Sequence, residues 1–361
     1  MKSVLQHRYL LFLSLLLLIL TLQACQQSPA PGQLTQQQWA QQLSLASVQQ
    51  AQQLSLQWPD YVQQHELQWL DSSRNREVPA LLYLPAELPV KPMPLIVFSH
   101  GLGGARDRYA YLGKYWASQG IASLHLQHIG SDRQIWRGSR LTLPFRLMSA
   151  AGEEEALARV ADVRFGLSQL LASEFAVLFD ISQLVMAGHS YGANTTMLLL
   201  GARAEPEQAD LTDKRFSAGV LISAPPFYND RPLTEVLAGV AVPTLHITNT
   251  MDEIQVPGYH STPDERIDIY QAIAGPQKVL AVFYGGNHNI FSGRRQKPEL
   301  ALEDKILKAA TQSLSLAFIR QVGGQSKSAL SQWQQQHQPL LARYEEMSVV
   351  VETASNSNLS R

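Results

Sequence analysis

Apolar residues recur along the chain in distinct spacings, and each spacing predicts its own element. Alternation over 66–70 (Glu66-Leu67-Gln68-Trp69-Leu70) suits a half-buried edge strand, and a turn at 74–77 separates it from a second strand over 78–84, closed by Pro85. Leu95-Ile96-Val97-Phe98 is apolar without a break, as expected of a parallel strand covered on both faces. Further strand-like runs fall at 121–126, 184–187, 218–222, 243–248 and 278–284. Helical spacing appears over 109–119, ended by Gly120, and over 153–173. In the latter, acidic residues crowd the first turn and Leu157, Val160, Ala161, Phe165, Leu167 and Leu171 form the stripe. A helix is also predicted from Ala193, another over 300–322, and a last one over 328–347 beyond Gly323-Gly324, before a polar tail. Strands alternating with helices predict an α/β domain with a mostly parallel sheet. The stretch 132–152, which holds Trp136, Arg137, Arg140 and Pro144, follows neither period and reads as an inserted loop or lid.

The first segment has a different pattern. Lys2, His7 and Arg8 precede an apolar run over 9–22, which has the length of a signal-peptide core and falls short of the roughly 20 residues that span a bilayer. It leads into Leu22-Gln23-Ala24-Cys25, which resembles the lipobox of bacterial lipoproteins, with Cys25 as the lipidated residue and Gln23 departing from the usual small residue. Residues 26–57 turn to glutamine, serine and alanine. They bury too little to repay ordering, although Trp39, Leu43 and Leu54 leave room for a helix lying on the domain. The expected organisation is a signal peptide at 1–24, a glutamine-rich tether at 25–60, a catalytic domain at 61–322 and a helical extension with a frayed tail at 323–361. That places the protein in a bacterial cell envelope, held to a membrane by its lipid.

Composition narrows the function. Of 361 residues 45% are hydrophobic, enough for a real core, and the formal charge of -1 argues against nucleic acid as a partner. Cys25 is the single cysteine, so no intramolecular disulfide forms.

The candidate chemistry centres on Gly188-His189-Ser190-Tyr191-Gly192. A serine at a strand-to-helix elbow sits in strained backbone and tolerates only very small residues two positions away. A glycine-bounded turn would carry the same pattern, but here an apolar run precedes it and a helix-compatible run follows. The Ser190 hydroxyl needs a base within reach and an acid behind that base. Asp252 lies just past the strand at 243–248, with Glu253 and the more distant Asp230 as competitors. His288 follows Gly285-Gly286-Asn287 after the strand at 278–284, in the order nucleophile, acid, histidine; His246 and His260 lie within or off the strands. The oxyanion donors are expected to be the backbone amides of Tyr191 and Leu102, the latter in His100-Gly101-Leu102-Gly103-Gly104. That glycine-rich loop lacks the ending of a P-loop and the spacing of a dinucleotide fingerprint. His125, His128 and Asp132 make a poor metal site, because imidazoles three apart across a strand end point away from each other.

Over about 66–320 the chain resembles the α/β-hydrolase superfamily, and within it bacterial proteins similar to dienelactone hydrolases and platelet-activating-factor acetylhydrolases. Phe98 to Gly104, Gly188 to Gly192 and Gly286 to Phe291 carry the likeness. It implies hydrolysis of a carboxylic ester through an acyl-enzyme, without metal or organic cofactor. Two departures stand out: Ser190 replaces the cysteine of true dienelactone hydrolases, and where the acetylhydrolases place their acid this chain has Ser223-Ala224-Pro225-Pro226. The expectation is a membrane-tethered serine esterase acting on a small or lipid-like ester. A peptidase or acyltransferase with the same triad is the alternative, and a non-catalytic envelope lipoprotein the other. Oligomeric state is not legible from the residues.

Overall fold

Residues 62–227, 231–256, 259–293 and 301–348 are described in the computed structural model. The strands are β1 (Val62–Asp71), β2 (Arg76–Pro85), β3 (Met93–Ser99), β4 (Ala122–Leu126), β5 (Phe179–His189), β6 (Phe216–Ile222), β7 (Thr244–Met251), β8 (Ile254–Val256), β9 (Tyr259–Ser261), β10 (Gln277–Asn287) and β11 (Leu341–Ser348). Nine of them form one sheet in the order β1-β2-β4-β3-β5-β6-β7-β10-β11, while β8 and β9 make a separate hairpin. From β4 to β10 all neighbours are parallel; β1, β2 and β11 are antiparallel to theirs. This is an α/β-hydrolase sheet.

The unbroken apolar strands supply both faces. In β3, Ile96 and Phe98 enter one core and Leu95 and Val97 the other; in β5, Val185 and Ala187 oppose Leu184 and Met186 in the same way. The first face is covered by α1 (Ala110–Ser118), α6 (Ala301–Val322) and α7 (Ala329–His337) through Trp116, Leu307, Phe318 and Trp333. The second is covered by α3 (Glu153–Leu171), α4 (Tyr191–Leu199) and α5 (Pro263–Ala272) through Val163, Leu167, Met197 and Ile269. The expected edge character of the first strand holds, since β1 pairs on one side only and its burial alternates.

Two readings need correction. The helix expected over 328–347 stops at His337, and Leu341–Ser348 is a strand antiparallel to β10. Pro339 ends the helix, because it has no N–H to donate to the Gln335 carbonyl, and Gln338–Leu340 tightens into a 3-10 turn. The sheet therefore runs past 322 to take in β11, and β10 is the penultimate strand among the described residues. The stretch 132–152 is built of short helical turns rather than irregular loop: 3-10 turns at Arg133–Trp136 and Arg140–Thr142, then α2 (Leu143–Ala150) with Pro144 in its first turn. The leader, Cys25, the tether and the tail beyond 348 lie outside the described residues.

Candidate active site

The elbow between β5 and α4 has the strain its sequence implies. Ser190 adopts φ 55°, ψ -124°, a region L-residues occupy only where the surrounding structure holds them. The flanking glycines are there for clearance: a Cβ on Gly188 would lie 2.1 Å from the Gly192 carbonyl oxygen, and one on Gly192 would lie 2.0 Å from that of Ser99. The Ser190 amide donates to Ile222 O at 2.9 Å, pinning the turn to β6.

Three side chains predicted from the sequence meet here. His288 Nε2 lies 2.8 Å from Ser190 Oγ, and His288 Nδ1 lies 2.7 Å from Asp252 Oδ1. Asp252 is fully buried and its other oxygen accepts from Ser223 Oγ at 2.5 Å and Thr248 Oγ1 at 2.7 Å. Burial alone would raise this carboxyl. His288, the Arg266 guanidinium 3.7 Å away and the Ser223 hydroxyl outweigh it and hold the group well below the ordinary carboxylate range, so it is ionised. Of the competitors, Glu253 is exposed and pairs with His260, His246 is buried within β7 against Thr244, and Asp230 lies outside the described residues.

The oxyanion loop is fixed from several sides. Gly103 N–H donates to Ser131 O at 2.8 Å, Gly104 N–H to Gly101 O at 2.9 Å, and the Trp136 indole to Gly103 O at 2.9 Å. Leu102 lines the same cavity as Ser190 and His288. Tyr191 is the first residue of α4, where an amide has no partner within the helix. Leu102 and Tyr191 thus both line the cavity beside Ser190.

A second serine–histidine–aspartate line runs beneath this one, and sequence reasoning missed it. Ser99 Oγ lies 2.9 Å from His128 Nε2, and His128 Nδ1 lies 3.1 Å from Asp162 Oδ2, all fully buried. Arg159, also fully buried, donates to Ser99 Oγ at 2.9 Å, to Ser131 Oγ and Thr195 Oγ1, and to the His100 carbonyl, with its guanidinium over the Tyr191 ring. Burial, and then the Arg159 charge, push His128 down to about 4, so its neutral ring donates to Asp162 and accepts from Ser99. None of the three lines the cavity. They brace the oxyanion loop against α3. His125, three residues earlier, is stacked on Phe98 and turned away from His128.

The cavity, of about 610 Å³, is within the range that holds small molecules. One wall is apolar, from Trp136, Leu147, Met148, Pro225 and Ile254; Arg108, Asn287, Asn289 and Ser292 are its polar side. α2, which lends Leu147 and Met148 to the lining, and the turn before it present Leu141, Phe145 and Met148 to solvent, at 86%, 72% and 71% exposure.

Residues 75–134, which carry β2 to β4 and the oxyanion loop, match the family model of platelet-activating factor acetylhydrolase, isoform II. The chain is also 24% identical over 286 residues to a platelet-activating factor acetylhydrolase of Cavia porcellus, a match that covers 66% of this chain and 59% of that protein. The chain thus has an α/β-hydrolase fold and is similar, over part of its length, to the platelet-activating factor acetylhydrolases.

Proposed function

We propose that this protein is a serine hydrolase that cleaves carboxylic esters, with Ser190 as nucleophile, His288 as base and Asp252 as the acid that orients it. The observation that carries the reading is the continuous line from Ser190 Oγ through His288 to Asp252, at 2.8 and 2.7 Å, opening on a cavity. His288 Nε2 takes the Ser190 proton as Oγ attacks the ester carbonyl, and the Leu102 and Tyr191 amides receive the oxyanion. His288 then passes the proton to the leaving alkoxide, which leaves an acyl-Ser190. Water, deprotonated by the same nitrogen, releases the acid. Asp252 stays charged through the cycle. Ser99 does not fill the nucleophile's role, because its hydroxyl is enclosed and already accepts from Arg159.

The substrate we favour is a lipid-like ester, which the apolar wall and the exposed residues of α2 support. Lipidation of Cys25, holding the enzyme on an envelope membrane, is part of the same proposal; labelling with radioactive palmitate that is lost in Cys25→Ser checks it. For the reaction itself, Ser190→Ala assayed on a short-chain aryl ester is expected to lose about 10⁴-fold or more in kcat. Undiminished turnover would overturn the assignment.

A further inference from the structure

His189, the residue before the nucleophile, is 3% exposed and makes contacts that the triad does not use. Its Nε2 lies 3.1 Å from the backbone carbonyl of His288, its Nδ1 lies 2.8 Å from the Tyr109 hydroxyl, and its ring packs on that of His288 at 4.9 Å and 32°. The Tyr109 hydroxyl in turn accepts the Gly101 N–H at 3.3 Å, one residue before Leu102. Tyr109 is 2% exposed.

The direction of each hydrogen follows from the chemistry of the groups. A backbone carbonyl only accepts, so Nε2 of His189 carries the hydrogen. In the neutral ring Nδ1 is then the acceptor, and the Tyr109 hydroxyl, which takes the Gly101 amide on its oxygen, gives its own hydrogen to Nδ1. Every link has one donor and one acceptor. The line joins the loop after β3, the end of β5 and the histidine loop after β10; β3 and β5 are sheet neighbours, whereas β6 and β7 stand between β5 and β10.

We propose that Tyr109 and His189, in its Nε2–H tautomer, form a hydrogen-bonded strut that positions the oxyanion loop and the His288 loop relative to each other. They are positioning residues: neither touches the reacting atoms in the cycle, and each acts through a backbone group. A reaction that needs an amide and an imidazole on opposite sides of one carbon depends on that spacing, and misplacement by a fraction of an ångström lowers turnover more than binding. The consequence for rate rests on the esterase reading above; the strut itself does not.

Two measurements separate them. The first is ¹⁵N NMR of histidine-labelled full-length protein at neutral pH, with His189 assigned through the His189→Gln spectrum. Protonated Nε2 and bare Nδ1 are expected for His189, and the reverse tautomer would overturn the strut whether or not the protein hydrolyses esters. The second is kinetic. Tyr109→Phe is expected to lower kcat roughly tenfold with KM changed less than about twofold, the scale of one lost hydrogen bond. His189→Gln can still place an amide N–H at the Nε2 position, whereas His189→Asn reaches only as far as Nδ1. Gln therefore keeps the His288 link and loses the Tyr109 link, and Asn the reverse, so each is expected to lower kcat about tenfold. A wild-type kcat in either His189 variant, or an unchanged Tyr109→Phe, would sink the positioning role. Failure of Ser190→Ala to abolish turnover would instead count against the esterase reading alone.

Discussion

The Ser223 hydroxyl donates to Asp252 at 2.5 Å, although the two residues follow different strands, β6 and β7. The position after β6 is where the resemblance to the acetylhydrolases implies an acid, and this chain carries a serine there. The contact means that both chain positions converge on one carboxylate, so the acid can be supplied from either strand end. Ser223 sits at φ 50°, a left-handed conformation that aspartate adopts more readily than most residues. Asp252→Asn is expected to cost about 10⁴ in kcat. Exchanging the pair, Asp252→Ser with Ser223→Asp, is expected to recover at least about tenfold of that loss. A double variant no faster than the single one would show that the two positions are not interchangeable.

The two serine–histidine–aspartate lines are expected to behave in opposite ways. A fluorophosphonate probe should label wild type and Ser99→Ala alike and leave Ser190→Ala unlabelled. Ser99→Ala removes an acceptor from Arg159 and a donor from His128 inside a buried network, which costs about 1–3 kcal/mol of stability. Chemical denaturation of the two variants tests this. A stable but unlabelled Ser99→Ala would reverse the roles.

Buried histidines set the protein's response to acid. Burial pushes His125 and His246 down to about 3, and His128, with Arg159 beside it, down to about 4, all from an ordinary value of 6.5. Between those values the unfolded chain binds protons that the folded chain does not, so stability is full above about 6.5 and falls as pH is lowered through the window. Each unit of depression is worth about 1.4 kcal/mol. Melting temperature followed by circular dichroism should fall steeply between pH 6.5 and 4. His125→Phe should flatten part of the slope, because His125 lies among Tyr83, Phe98 and Trp116 with its Nδ1 unpaired. A melting temperature constant across that range would contradict the account.

The lid gives a test of substrate class. Leu141, Phe145 and Met148 are exposed, while Met148, with Leu147 and Trp136, lines the cavity. Replacing the three exposed residues by serine is expected to raise KM for long-chain esters about 100-fold, since each removes an apolar contact worth roughly 1 kcal/mol, and to leave an acetyl aryl ester within about twofold. Equal effects on both esters would remove the lipid-like preference from the proposal.

How much of this was legible in the residues depends on the distance over which the physics acts. The elbow was legible because strain at Ser190 demands Gly188 and Gly192 at fixed spacing, and the parallel strands were legible because burial on both faces leaves an unbroken apolar run. Asp252 and His288 followed from chain order at strand ends. The strand at Leu341–Ser348 was missed because Pro339 sits within glutamine-rich sequence of helical appearance, and because an edge strand carries a weak pattern. The Ser99–His128–Asp162 and Tyr109–His189 contacts join side chains from separate segments, and no local periodicity encodes them.

The strand order has a mechanical consequence. β5, which ends next to Ser190, is the fifth of nine strands, and β1, the first described strand, lies on the outer rim of the sheet. A load applied through that strand peels the antiparallel β1–β2 pair one rung at a time, and four strands separate the rim from Ser190. Were the protein held through Cys25 as proposed, it could be tugged and partly frayed at β1 while Ser190, His288 and Asp252 stay in register.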